Sequence, residues 1–223
     1  MAQSAAGLSV QPARLVLIRH GETEWNAAGR LQGAIDVPLS QLGLWQAQRV
    51  AQRLRGESFA AVVSSDLERA RQTATPLAAA LGLPVQPEPR LRERAYGIFE
   101  GERYAGLAER YPAEWAVHQA RDPDWVIPGG ESIVQLRDRV AEALDEIARR
   151  YAGTQVAVVA HGGVLDAAYR LATGIPWQAQ RSHALPNAGI NRLRAQAAPL
   201  ALEILDWADV AHLSDARDEL SVV

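Results

Sequence analysis

Two of the five histidines in this 223-residue chain stand where a reactive site is easily built. His20 follows the short apolar run Leu15-Val16-Leu17-Ile18 and Arg19, and His161 follows the run Gln155 to Ala160. Each histidine is followed by glycine, which lets a ligand approach the backbone closely. A third apolar run, Phe59 to Val63, leaves at Ser64-Ser65-Asp66 and leads to Arg69. One histidine at a strand end reads as a hydrogen-bonded turn residue. Two of them, with arginine beside one, read as a site. Its chemistry is bounded by what the chain lacks, because all 23 Lys+Arg cations are arginine and there is no cysteine. Without lysine there is no Schiff base and no lysine-bearing phosphate loop. Without cysteine there is no thiolate nucleophile, disulfide framework or cysteine-ligated metal. A side-chain cation that grips an anion here is therefore arginine or histidine.

The elements that must carry these residues follow from hydrophobic periodicity. The three apolar runs read as buried strands, each ended by a polar turn signal. Ser40 caps a helix with Ala47, Val50, Ala51 and Leu54 at helical spacing. Ala70, Ala74, Leu77, Ala78 and Leu81 mark a second helix, stopped by Gly82 and Pro84. Glu131-Ser132 opens a long helix through Tyr151, and Val164 to Ala172 is also helical. Two more β-like stretches, Asn191 to Ala195 and Leu200 to Leu205, precede a polar tail placed at 207–223. Between about 87 and 130 the periodicity weakens, and prolines, glycines, arginines and aromatics read as an inserted cap or lid. Strands alternating with helices predict an α/β domain, a three-layer α/β/α sandwich with a mostly parallel central sheet. In such sheets ligands bind outside the carboxyl ends of the strands, where both histidines fall.

The same residues carry a resemblance. Arg19-His20-Gly21-Glu22-Thr23-Glu24-Trp25-Asn26, then Gly29-Arg30-Leu31-Gln32-Gly33 and Asp36-Val37-Pro38-Leu39-Ser40, resemble the opening of the histidine phosphatase superfamily, phosphoglycerate-mutase-like branch. Ser64-Ser65-Asp66-Leu67-Glu68-Arg69-Ala70 with Gln72-Thr73-Ala74 is similar to its second block. Leu91-Arg92-Glu93-Arg94-Ala95-Tyr96-Gly97 with Phe99-Glu100-Gly101 is similar to its third. Pro128-Gly129-Gly130-Glu131-Ser132 and Ala160-His161-Gly162-Gly163 resemble the fourth and fifth, all in the family's order. The resemblance implies phosphomonoester hydrolysis through a phosphohistidine at His20, with no metal or other cofactor. Arginine's fork suits phosphoryl oxygens, which fits Arg19 and Arg69. Asn26 and His161 can add donors. Nearby arginines favour the neutral form of His20 that a nucleophile needs. By spacing alone Glu93 is a solvated glutamate between Arg92 and Arg94; the resemblance makes it the acid that protonates the leaving oxygen. It also places Gln32, Gly33, Tyr96 and Gly162 in the phosphate or substrate pocket. Asp36, Asp66 and Glu131 are assigned turn and capping roles, and His118, His183 and His212 structural ones.

A phosphoglycerate mutase on the same scaffold is the nearest competitor, since its form of the third block is close to this one. Against it stand the short stretch from Glu93 to His161 and the absence of the lysine that mutases of this family carry. A non-catalytic regulatory domain is a further alternative, though every residue the mechanism asks for is present. At 223 residues, 48% hydrophobic and 22% charged, the chain has the length of one domain with elaborations. A net charge of -3 argues against nucleic-acid binding. No apolar run approaches the ~20 residues that cross a bilayer, and the first residues show no secretory pattern. The expectation is a cytoplasmic monomer or homodimer acting on a small phosphorylated metabolite.

Overall fold

The computed structural model describes residues 11–214, so positions 215–223 of the expected tail lie outside the described residues. The chain runs β1 (Ala13–Arg19), α1 (Glu24–Ala27), α2 (Gln41–Leu54), β2 (Ala61–Ser64), α3 (Glu68–Leu81) and β3 (Val85–Pro87). It continues with α4 (Leu107–Arg110), α5 (Pro112–Ala120), α6 (Ile133–Arg150), β4 (Gln155–Ala160), α7 (Gly162–Thr173), β5 (Ile190–Gln196) and β6 (Ala201–Asp209). The strands form one sheet in the order β3-β2-β4-β1-β5-β6. β1, β2, β3 and β4 are parallel, while β5 and β6 add an antiparallel edge.

Alternation along β1 divides the core into two. Ala13, Leu15 and Leu17 face α6 and α7, packing with Leu136, Val140, Leu144 and Leu165. Val16 and Ile18 face α2 and α3, packing with Val50, Leu54, Ala70 and Leu77. A strand buried on both faces must read as a continuous apolar run, which is what Leu15 to Ile18 does. The predicted caps are in place: Ser40 accepts from Gly43 N, and Ser132 forms a reciprocal capping box with Gln135. Gly82 ends α3 in the left-handed region at φ 66°, where a Cβ is disfavoured.

Register places the site. Arg19 pairs with Ala160, and Ser64 with Val159, so β1, β2 and β4 end side by side. His20, His161 and Ser65 are the first residues beyond those ends. The weakly periodic segment between about 87 and 130 forms short helices over a small cluster of its own, Phe99, Leu107 and Ile127, against which Trp115 and Trp125 pack. Two boundaries differ from expectation. Val85–Pro87 is an edge strand beside β2; three residues, one of them proline, are too short to show a period of two. Residues 207–209, expected in the tail, complete β6, and Trp207 donates from Nε1 to Ala184 O. No helix among the described residues is long and apolar enough to cross a membrane.

Candidate active site

A cavity of about 620 Å³ opens over the carboxyl ends of β1 and β4, and Arg19, His20, Asn26, Arg69, Glu93 and Gly162 line it. His20 is 2% exposed. Its Nδ1 lies 2.7 Å from Gly21 O, and a carbonyl only accepts, so Nδ1 carries the proton and Nε2 keeps its lone pair. Burial first, then Arg19 and Arg69, hold the imidazole well below the usual histidine range, against the opposing pull of Gly21 O. The ring is therefore a neutral base with its nucleophilic nitrogen defined.

Arg69, on the first turn of α3, is 1% exposed. It donates from Nη1 to Ile35 O and from Nη2 to Gly33 O, both at 2.8 Å, and from Nε to His161 Nδ1 at 3.2 Å. Because Arg69 only donates, His161 Nδ1 must be bare, and the neutral ring carries its proton on Nε2. That nitrogen sits 2.8 Å from Ser65 Oγ. Burial, Arg69 and His20 hold His161 well below the usual range, in keeping with a neutral ring. The two histidine rings are 5.1 Å apart at 55°. His161 is fully buried beside His20 rather than on the cavity wall. Its donor points at Ser65, so the sequence expectation of a direct donor to the ligand is met here only by proximity.

Arg19 is anchored by a hydrogen bond from Nη1 to Leu185 O, and its Nε is buried with no partner among the described residues. A buried, unpaired arginine donor at the floor of a cavity is what an oxyanion would satisfy. Asn26 Oδ1 accepts from Thr23 N at 3.1 Å and Asn187 Nδ2 at 3.3 Å, which leaves its amide nitrogen as the end open to a ligand. Gln32 also faces the cavity, with Oε1 buried and unpaired. Gly33 has φ +52°, and a Cβ there would collide with the Glu100 carboxylate, so glycine is required twice over. Glu100 Oε1 accepts from Ala34 N at 2.9 Å and Tyr96 N at 2.8 Å, tying the Gln32–Gly33 loop to the loop of Tyr96. Burial, helped by Glu93, raises the Tyr96 phenol and keeps it neutral.

Glu93 accepts from Arg94 N at 2.8 Å and from Gly163 N at 3.0 and 3.2 Å. Gly163 leaves room there, since a Cβ on it would fall inside 3.0 Å of Glu93 Oε1, whereas one on Gly162 would be in ordinary contact, 3.6 Å from Glu93 and 3.7 Å from Arg19. The segment between α7 and β5 closes the opposite wall. Asn187 Nδ2 donates to His20 O at 3.1 Å, and Ala188 N bonds both Arg19 O and His20 O. Ala188 holds φ +56°, a strained value for alanine, at this junction.

The sequence reading missed the cavity's outer wall. Arg94, Arg121, Arg181, Asp166, Trp177 and Gln180 line it from four separate segments. His118, expected only to pack, stacks on Trp115 at 5.1 Å and also faces the cavity. Arg94 sits inside the third block and was within reach; Asp166 lies on α7, and the others come from weakly periodic segments that carry no local signal. Asp36 and Asp66, given turn and capping roles, have specific partners. Asp66 pairs bidentately with Arg92 at 2.7 and 2.6 Å, and Asp36 accepts from Glu68 N at the start of α3. Among the described residues no three His, Asp or Glu side chains gather as a metal cluster.

The model of the histidine phosphatase superfamily (branch 1) matches residues 15–207. A metal-independent phosphoserine phosphatase of Arabidopsis thaliana is 42% identical over 203 residues, 90% of this chain and 83% of that protein. A probable phosphoglycerate mutase GpmB of Yersinia pestis is 37% identical over 212 residues, 93% of this chain and 98% of that protein. Among solved structures, a mycobacterial glucosyl-3-phosphoglycerate phosphatase complexed with VO3 superposes with a TM-score of 0.77 at 32% identity, covering 87% of this chain and 98% of that one.

Proposed function

The chain belongs to the histidine phosphatase superfamily and is a phosphoric monoester hydrolase; from that premise we propose that His20 is its nucleophile, Glu93 its proton donor and acceptor, and phosphoserine its leading substrate. The observation that carries the roles is the fixed tautomer of His20. Its Nδ1–H is held by Gly21 O, so Nε2 presents a lone pair to a cavity that Arg19 and Arg69 also line. A phosphoryl group there meets the unpaired Nε of Arg19 and the amide of Asn26. His20 Nε2 forms the N–P bond as the P–O bond to the alkoxide breaks, and the Glu93 carboxyl gives its proton to that oxygen. Water then attacks phosphorus, Glu93 takes its proton, and the N–P electron pair returns to His20. Arg69 fixes the position of His161, whose ring lies 5.1 Å from that of His20. The mechanism asks for no metal.

The substrate assignment rests on the charge of the outer wall and on the Arabidopsis relative. Arg94, Arg121 and Arg181 offer cations to a leaving group that bears a carboxylate, and Asp166 is the one wall carboxylate besides Glu93 among the lining residues. Phosphoserine presents both a carboxylate and an ammonium group. Rapid-quench labelling should trap acid-labile phosphate on the wild type and none on His20→Ala, with turnover unchanged by EDTA. Loss of activity in EDTA, or label on the alanine variant, overturns the roles. Phosphate release from phosphoserine and 3-phosphoglycerate, run beside a coupled mutase assay, tests the substrate. Mutase turnover exceeding hydrolysis would overturn it.

A further inference from the structure

Glu93 lies in an irregular segment, and a proton donor is useful only where it is held. Arg139, one turn and a half into α6, does the holding. It donates from Nη1 to Arg90 O at 2.6 Å and Arg92 O at 2.7 Å, and from Nη2 to Glu93 O at 3.0 Å. The other edge of its guanidinium is fixed by Glu131, which accepts from Nε at 2.6 Å and from Nη2 at 2.8 Å. Glu131 in turn sits at the start of α6, where its backbone N donates to Ala95 O at 2.9 Å and its O accepts from Arg94 Nε at 3.0 Å. The backbone of Glu93 is thus clamped from both sides to one helix terminus.

We propose that Arg139, backed by Glu131, is the positioning residue for the Glu93 carboxyl, acting through the backbone of residues 90–93 and touching no substrate. The proposal rests on Glu93 being the acid. Planarity is essential to the role: one fork spans three carbonyls and a carboxylate, which an ammonium point charge cannot do. Arg139 does not line the phosphate cavity, so phosphoryl binding is left to Arg19 and Arg69.

The test is kcat/KM for an alkyl ester, whose leaving oxygen needs the proton, against p-nitrophenyl phosphate, whose leaving group does not. The alkyl ester is phosphoserine or 3-phosphoglycerate, whichever is turned over faster. Arg139→Met and Arg139→Lys should lose on the order of 10- to 100-fold on the alkyl ester and less than threefold on the aryl ester, the scale of an ångström-sized misplacement. Inhibition by inorganic vanadate should stay within twofold. Equal losses on both esters, a parallel loss of vanadate affinity, or full activity in the lysine variant would overturn the assignment. Should the Arg139 variants fail to fold, Glu131→Gln, which weakens only the backing pair, must show the same alkyl-selective loss. Glu93→Gln is run alongside. If it lacks the leaving-group pattern, the acid role fails; if it shows the pattern and the Arg139 and Glu131 variants do not, the clamp alone fails.

Discussion

Gly163→Ala should separate the chemistry of this protein from its stability. Gly163 lies in the first turn of α7 and has no left-handed φ, so alanine is conformationally acceptable there. Its Cβ, however, would fall inside 3.0 Å of Glu93 Oε1, with Leu136 Cδ2 at 3.4 Å on the other side. The clashing atom is the far end of a flexible side chain, so the carboxylate retreats by about 1 Å to regain ordinary contact distance. The backbone N–H that Glu93 accepts from is retained, and what changes is where the acid sits. Helix propensity favours alanine by up to about 1 kcal/mol, and crowding offsets part of that. Net stability should therefore stay within about 1 kcal/mol, a shift of roughly 4 °C or less for a chain of this length. A misplacement of about 1 Å costs on the order of 10²-fold, or about 2.7 kcal/mol of barrier. The assay is kcat/KM on phosphoserine and on p-nitrophenyl phosphate, with a thermal melt on the same preparation. An alkyl-ester kcat/KM within threefold of wild type, at unchanged stability, would refute the reasoning that places Glu93 at the leaving oxygen.

Three further outcomes follow from particular contacts. Arg69→Lys keeps the charge but loses the fork that reaches Ile35 O, Gly33 O and His161, so kcat/KM and vanadate affinity should fall together by about 10²-fold or more; a loss under threefold in either contradicts the role. Arg92→Ala breaks a bidentate pair with Asp66, yet the arginine side chain is 50% exposed. Its removal should cost less than about 1 kcal/mol by urea denaturation and leave kcat/KM unchanged, and a tenfold activity loss would mean that Arg92 has a role at the site. Burial, reinforced by Arg94 and Arg121, holds His118 at about 4. The unfolded imidazole protonates first as pH falls, so the neutral ring's contribution is complete above about pH 6.5 and is lost between there and about 4. The loss is at most about 3 kcal/mol and less in proportion to solvent access. His118→Phe should flatten the pH dependence of the urea midpoint across that window, and an unchanged slope would count against the buried neutral ring.

The sequence by itself determined the frame and which residues were candidates for the site. Three apolar runs, buried on both faces, had to be interior strands, and the polar signals ending them had to meet on one side of a parallel sheet. His20, His161 and Arg69 stand out at the ends of those runs, whereas Glu93 was singled out only by the family resemblance of its block. Their states were decided elsewhere. The nucleophilic nitrogen of His20 is set by a carbonyl one residue away, yet the tautomer of His161 is set by Arg69, 92 positions distant in the chain. The outer wall gathers α5, α7 and the segment around Gln180 and Arg181, none of which has a pattern that announces a ligand. The same holds for Arg139: in sequence it is one arginine on a solvated helix face, and only packing brings three carbonyls within its reach. Periodicity records which face of an element is buried. It does not record which polar groups from distant elements arrive at the same point, and that depends on a register and a packing fixed only when the chain closes on itself.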